Sequence, residues 1–145
     1  MQFFTFETIS IAAIAGFIVG AVWYSPFLFL KAWLKGEGIT KENLPKRSTK
    51  YMVQINIYSL ISHGVIASVL ALMFDLLQVM DLGIAISLGA LLCIGFIVST
   101  RYIDMIYTVK GEHWSKEAQV KFLVSSGYYL VVSIVMSIVL FVIAM

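Results

Sequence analysis

A chain of 145 residues that is 61% hydrophobic and only 12% charged is not a water-solvated globule, because soluble domains carry about 25% charged residues. Its length leaves room for one domain, and its single cysteine, Cys93, excludes an internal disulfide and a multi-cysteine metal site. The net charge is only +2, and no basic tract alternates with aromatic residues, which argues against nucleic-acid binding. Membrane lipids are therefore the expected partners.

Four apolar segments are long enough to cross a bilayer, whose hydrocarbon core requires about 20 residues of helix. Helix is the expected form, because the segments lack the alternating pattern of barrel strands. We therefore predict an all-α fold, an integral-membrane bundle of four transmembrane helices in a single domain over residues 1–145. The predicted helices cover residues 8–30, 51–74, 83–100 and 122–145.

The positive charges predict how the chain is oriented in the membrane. All ten Lys and Arg residues lie in two windows, residues 31–50 and 101–121. In a four-span chain these windows form the first and third loops, on one side, whereas the second loop and both termini contain no Lys or Arg. The positive-inside rule then places the basic loops in the cytoplasm and both termini outside. The expected location is the cell (inner) membrane, as a multi-pass protein.

The first predicted helix ends within a dense run of aromatic residues around a proline, residues 20–33. Pro26 removes a backbone donor, and we expect it to leave the carbonyl of Val22 unpaired and to kink the helix. Trp23 and Tyr24 lie deeper in the span, where their N–H and O–H groups need partners. Two interpretations stay open, an aromatic anchor beside a kink or the wall of a pocket beside the bend.

The same helix carries Ala12, Gly16 and Gly20 at intervals of four residues. Small residues at this spacing form a groove in which another helix backbone can approach closely. We predict that these three residues lie on a packed face. The pattern indicates helix packing in general more than it indicates a dimer.

The second helix is the most polar span. Asn56, Ser59 and His63 lie on one stripe, which we expect to point into the bundle because lipid cannot satisfy polar groups. An ionisable residue near the middle of a membrane is a candidate functional residue. The structural alternative is a neutral histidine that is hydrogen-bonded to a neighbouring helix. No second His or facing carboxylate accompanies it, so a metal site is not expected.

The ends of the last two helices carry more local signals. Arg101 and Asp104 are spaced so that they can pair on one helix face, or Arg101 can extend to the membrane interface. We interpret them as the boundary of the third span. Ser115 has the position of an N-cap for a fourth helix whose first turn lies in the interface before Phe122.

Two short segments carry a pattern of known type: residues 20–33, and residues 126–130 near the C-terminus. They resemble the domain of unknown function 1761 family, whose members show a Gly, then Trp-Tyr-Ser/Gly-Pro, Phe-Gly-Lys and a Trp, and later Gly-Tyr-His-Leu. Leu30 stands where a Gly is common, and Tyr129 replaces the His. The resemblance implies a small four-span membrane protein and no particular activity. The first segment matches at Gly20, Trp23, Tyr24, Ser25, Pro26, Phe29, Lys31 and Trp33.

Three classes of function can be compared. The residues show no nucleophile with its base, paired carboxylates or metal cluster, so we expect no enzymatic activity, no cofactor and no metal. The preferred interpretation is a structural or binding element that holds lipid or an apolar ligand and can form homo-oligomers. The alternative is a small transporter or channel, with the polar face of the second helix lining the path. The candidate ligand-binding residues are Trp23, Tyr24, Asn56, Ser59, His63, Tyr128 and Tyr129.

The predicted topology can be tested with reporters fused after Met145. Because both termini are predicted to lie outside, alkaline phosphatase at this position should be active in a bacterial host, and a fluorescent protein should be dark. A fusion to a chain truncated after Lys46 is the matched control and should give the opposite pair of signals. A bright fluorescent reporter after Met145 would reverse the assignment.

Overall fold

A computed structural model describes residues 2–40, 42–44, 46–108 and 115–145. Within these ranges, four helical stretches are long and apolar enough to cross a membrane, and the predicted all-α bundle of four transmembrane helices is confirmed. The helices are α1 (Phe6–Trp23), α2 (Leu30–Gly36), α3 (Thr49–Leu76), α4 (Leu82–Leu92), a π-helical segment (Cys93–Val98), α5 (Ser99–Thr108) and α6 (Lys116–Ala144).

The central element of the bundle is α6. The helices α1, α2 and α4 all pack against it, while α3 packs mainly against α1. Tyr128, Val132, Met136 and Leu140 of α6 are buried, and their four-residue spacing places them on one helix face. The apolar core therefore lies between this face of α6 and the pair formed by α1 and α3.

The starts of α3, α4 and α6 are capped by side chains. Ser48 accepts a hydrogen bond from a backbone N–H of α3, Asp81 does so for α4, and Ser115 does so for α6. Such caps satisfy N–H groups that have no partner within the helix. The predicted role of Ser115 is confirmed, although α6 begins about one and a half turns before the predicted span.

The first span differs from the helix predicted over residues 8–30. Helix α1 ends at Trp23, and α2 begins only after a turn. The carbonyl of Val22 is not unpaired, since it accepts a hydrogen bond from the backbone N–H of Ser25 at 3.1 Å. Pro26 thus follows a break in the helix rather than bending a continuous one, because the chain leaves the helical path just before the proline ring would meet the preceding turn.

The third span extends beyond the predicted residues 83–100. It continues through the π-helical segment, Cys93–Val98, into α5, which ends at Thr108. The hydroxyl groups of Ser99 and Thr100 donate to carbonyl oxygens within the π-helical segment, which satisfies polar groups where the backbone pattern changes. Helix α5 is amphipathic, and this explains why hydropathy alone ends the span too early.

The end of the bundle that holds both termini, the terminal end, is closed by the N-terminal segment. The buried ring of Phe3 lies edge-on to Phe74 at 5.4 Å and stacks on Phe141 at 6.2 Å between centroids. The carboxylate of Asp75 accepts hydrogen bonds from the backbone N–H groups of Phe3 and Phe4, each at 2.8 Å. Hydrogen bonds to a charged acceptor are stronger than neutral ones, so this segment is firmly held.

The small residues of α1 lie where the helices approach most closely. Ala12 is fully buried. Gly16 faces both α3, through His63, and α6, and a Cβ atom added to Gly20 would lie 2.9 Å from the hydroxyl oxygen of Tyr128. Since there is no room for a side chain at either glycine, the stripe sets the distance of α1 from its two neighbours.

Replacing Gly16 by Leu should strongly destabilise the bundle. Even a Cβ atom at this position would lie 2.2 Å from Cε of Met136 and 2.9 Å from Cδ2 of His63, and overpacking of this kind costs about 1–3 kcal/mol. The measurement is the midpoint of thermal unfolding in detergent. Gly64→Leu is the matched control, because a Cβ atom at Gly64 meets no atom within 4 Å. Equal midpoints for the two variants would contradict the close contact.

Candidate functional site

The other end of the bundle, the basic end, carries the eight Lys and Arg residues that the structure describes. Below this end, α1, α3 and α6 bring several aromatic and polar side chains into one group. We call this group the aromatic cluster. Its members are Trp23, Tyr24, His63, Tyr128 and Tyr129.

His63 ties α3 to α6 at the inner limit of the cluster. Its Nδ1 lies 2.6 Å from the carbonyl oxygen of Ser59, and its Nε2 lies 2.7 Å from the hydroxyl oxygen of Tyr128. A carbonyl oxygen only accepts hydrogen bonds, so Nδ1 carries a proton, and Nε2 shares a hydrogen bond with the Tyr128 hydroxyl. Both side chains are buried, and both imidazole nitrogens have hydrogen-bond partners.

Trp23 and Tyr24 find their polar partners on α6. The Nε1–H of Trp23 donates to the carbonyl oxygen of Val124 at 3.1 Å, and its ring lies so close to Gly127 that an added Cβ atom would be 3.2 Å away. The hydroxyl of Tyr24 lies beside the side chain of Ser125. These contacts join the end of α1 to the first half of α6, and the indole N–H of Trp23 has the partner it needs.

Tyr129 extends the cluster towards α5. Its ring centroid lies 4.9 Å from that of Tyr128. The guanidinium carbon of Arg101 lies 4.6 Å from the Tyr129 centroid, and Nη2 of Arg101 donates to the Tyr129 hydroxyl at 3.2 Å. A cation over an aromatic face is attracted to it. Arg101, interpreted from the sequence as a boundary residue, therefore links α5 to α6.

The polar stripe of α3 does not lie in the interior over its whole length, contrary to expectation. Asn56 is exposed, and Ser59 is half-buried and reaches the cluster through its backbone carbonyl. No residue between positions 49 and 62 is buried. The reason is the break after Trp23: α2 packs on α6 instead of continuing beside α3, and His63 is the one residue of this stripe whose side chain joins the cluster.

A cavity of about 710 Å³ opens at the basic end, between the end of α2, helix α5 and the start of α6. Sequence analysis missed it because the end of α2 lies more than 60 residues before the other two walls in the chain. The only sequence signal was the set of charges that flank the third and fourth spans. The wall contains apolar side chains (Met105, Ala118 and Phe122) and charged ones (Glu37, Arg101, Asp104, Glu117 and Lys121).

The cavity adjoins the aromatic cluster at two points. Arg101 lines the cavity and contacts Tyr129, and Ser125 lines it and lies beside Tyr24. At the mouth, Nζ of Lys121 forms an ion pair with Glu37 at 3.0 Å. Both side chains are partly exposed, so the pair contributes at most about 1 kcal/mol. The cavity thus has an ion pair at its mouth, and two of its wall residues contact the aromatic cluster.

Beyond the aromatic cluster, the interior of the bundle is mainly apolar. Between the cluster and the terminal end, it is filled by buried apolar side chains from α3 and α6. Among the residues that the structure describes, no group of three His, Cys, Asp or Glu side chains is placed to hold a metal ion. The apolar fill consists of Ala67, Leu70, Ala71, Phe74, Val132, Met136 and Leu140.

Four apolar helices around a buried aromatic cluster define a multi-pass membrane protein. Residues 8–141 match the family described as "Protein of unknown function (DUF1761)". The chain belongs to this family, the one that the segment around Pro26 resembles. Neither the curated proteins nor the solved structures include a match to the chain.

The hydrogen bond between His63 and Tyr128 should be measurable in a double-mutant cycle of His63→Leu and Tyr128→Phe. We expect a coupling free energy of about 1 kcal/mol, the scale of interhelical hydrogen bonds in membranes, from unfolding in mixed micelles. The cycle of His63→Leu with Tyr58→Phe is the control, because Tyr58 is 64% exposed. Additive effects in the first cycle would show that the hydrogen bond contributes nothing to stability.

Proposed function

We propose that this protein is a membrane-embedded binding protein that holds an amphiphilic ligand in the cavity at its basic end. The observation that carries the proposal is the cavity itself, about 710 Å³ in volume. This lies within the range of about 300–1,000 Å³ that is typical of small-molecule sites. Such sites combine a mostly apolar wall with a few polar groups that orient the ligand.

The distribution of side chains along the cavity supports an amphiphile over a purely polar or apolar ligand. The mouth carries charged groups, among them the ion pair of Lys121 and Glu37. Met105 and Phe122 contribute apolar surface, which would lie against hydrocarbon. A molecule with a charged head and an apolar body would match both parts of the wall, because burying a charge requires polar partners.

We also propose that the basic end faces the cytoplasm. Within the described part of the chain it holds eight Lys and Arg residues and four Asp and Glu residues, whereas the terminal end holds three acidic residues and no Lys or Arg. Positive charge in short loops is retained on the cytoplasmic side. The ligand would then enter from the cytoplasm or from the inner leaflet.

The packing of the bundle between His63 and the terminal end favours binding over conduction. A channel or carrier needs polar groups along a path, but the buried side chains beyond His63 are mainly apolar. Asn56, a residue expected to line such a path, is exposed on the outer surface of α3. The closed N-terminal segment around Phe3 adds a further barrier at the terminal end.

The proposal predicts that Ala118→Phe displaces a co-purifying amphiphile. Ala118 lines the cavity and is 8% exposed, so a benzyl group there would occupy ligand space. The measurement is quantitative mass spectrometry of lipids and small amphiphiles extracted from the purified protein. We expect about one equivalent of ligand per chain in the wild type and a loss of about tenfold in the variant, which corresponds to about 1.4 kcal/mol.

Ala21→Phe is the matched control, because Ala21 is an exposed residue of α1 that does not line the cavity. It should retain the wild-type amount of ligand. Equal retention by the Ala118 and Ala21 variants, or no amphiphile retained by the wild type, would refute the proposal.

A further inference from the structure

We propose that the ligand is a carboxylic acid with an apolar body, bound with its carboxylate against Arg101 at the inner end of the cavity. The inference rests on the proposed function and specifies both the chemical class of the ligand and the residue that orients it. It is carried by the half-buried guanidinium of Arg101, which lines the cavity and has no ion-pair partner among the described residues.

Arg101 and Ser125 mark the inner end of the cavity. Helix α5 runs towards the basic end, so Arg101 lies further inside than Asp104 and Met105, the other α5 residues of the wall. Helix α6 runs in the opposite direction, and Ser125 is the wall residue furthest along it. One turn beyond Ser125, Tyr129 contacts Arg101 and begins the aromatic cluster. The cavity is therefore closed at this end by packed side chains.

Of the two described cations in the cavity wall, only Lys121 is neutralised by an ion pair. Its Nζ lies 3.0 Å from a carboxylate oxygen of Glu37. Arg101 instead contacts an aromatic ring: its guanidinium carbon lies 4.6 Å from the centroid of Tyr129, and one N–H donates to the hydroxyl. A guanidinium has five N–H donors, so this contact fixes its position and leaves donors for a ligand.

The remaining carboxylates of the wall are at the mouth. Asp104 and Glu117 are both exposed, and Asp104 already interacts with another residue. Water and salt screen exposed charges effectively, whereas a partly buried charge is screened less. The charge of Arg101 therefore dominates the inner end of the cavity and favours an anion there.

A carboxylate fits this position better than a phosphate. It accepts two parallel hydrogen bonds from a guanidinium, and its single negative charge matches the single cation. The buried hydroxyl of Ser125 offers a further polar contact at the same level. Because the inner end is closed, the acidic group must be terminal, which excludes a phosphodiester with substituents on both sides. A phosphate monoester is terminal but carries about −1.5 to −2 charge at pH 7.

The apolar body of the ligand would lie between Arg101 and the mouth. Met105 and Phe122 line the cavity about one turn nearer to the basic end than Arg101 and Ser125, and Ala118 lies one turn further out. These side chains offer apolar surface to a hydrocarbon chain, whose burial is favourable. The ligand would thus enter with its carboxylate first.

The test is competition binding on the full-length protein in phosphatidylcholine nanodiscs. Radiolabelled decanoate is the probe, scintillation proximity reports binding, and the signal of empty nanodiscs is subtracted. Decanol, decylamine and decyl phosphate are the competitors, because they share the chain and differ in the terminal group. We expect unlabelled decanoate to bind about tenfold more tightly than each of them, the scale of one charge-assisted hydrogen bond.

Variants identify the group that selects the carboxylate. Arg101→Gln should weaken decanoate binding about tenfold and leave decanol binding unchanged, whereas Arg101→Lys keeps the charge and should retain most of the preference. Arg47→Gln is the matched control, because Arg47 also lies over a tyrosine ring, that of Tyr51, but does not line the cavity. It should change nothing.

A second variant tests the site without disturbing the contact between α5 and α6. Ser125→Ala leaves Arg101 and Tyr129 in place and should weaken decanoate binding about threefold, the scale of a neutral hydrogen bond. Thermal unfolding of each variant verifies that the bundle is intact. If Arg101→Gln does not fold, the selectivity of the wild type and the effect of Ser125→Ala decide the question.

The outcomes separate this inference from the proposed function. Decanol or decylamine that binds the wild type as tightly as decanoate, or a preference that survives Arg101→Gln, would overturn the carboxylate assignment. Tighter binding of decyl phosphate would assign the site to a phosphate monoester, and displacement by acetate at equal concentration would assign it to a free anion. The proposed function stands in the first two cases if Ala118→Phe weakens binding of all the decyl compounds, and it fails if this variant weakens none.

Discussion

The arrangement of the interior depends on how closely α1 can approach α3 and α6. At Gly16 and Gly20 no side chain separates the helices, and the hydroxyl of Tyr128 occupies the space beside Gly20. This hydroxyl oxygen lies 2.7 Å from Nε2 of His63 on α3. If α1 were displaced, these two buried polar groups would lose their partners in an environment without water, which is costly. The close packing of α1 and the hydrogen bond between His63 and Tyr128 therefore depend on each other.

The break after Trp23 has the largest effect on the basic end. A continuous helix would run on beside α3 and cover its first half. Instead, α2 crosses onto α6, where Gly36 approaches so closely that an added Cβ atom would lie 2.9 Å from Cβ of Lys121. This leaves Asn56 exposed and gives the cavity its third wall. The break after Trp23 thus accounts both for the exposure of Asn56 on α3 and for the third wall of the cavity.

The two ends of the bundle have different physical roles. The terminal end is stabilised by apolar packing and by the carboxylate of Asp75, which holds the backbone of Phe3. The basic end carries the aromatic cluster and a charged cavity. Between them, the π-helical segment joins α4 to α5, and Arg101 of α5 meets Tyr129. Irregular helical segments of this kind are frequent at functional sites, and this one lies just before a residue of the cavity wall.

The amino-acid sequence by itself determined the number of spans, the segregation of the basic loops and the small-residue stripe on α1, because these depend on hydropathy and local spacing. It also singled out His63 and Tyr128, which the structure brings together. Only the tertiary structure decided that His63 meets Tyr128, that Asn56 lies outside, and that Glu37 and Lys121 form an ion pair at the mouth of a cavity. Such outcomes depend on the path of the chain after Trp23 and on contacts between distant segments, which no local pattern encodes.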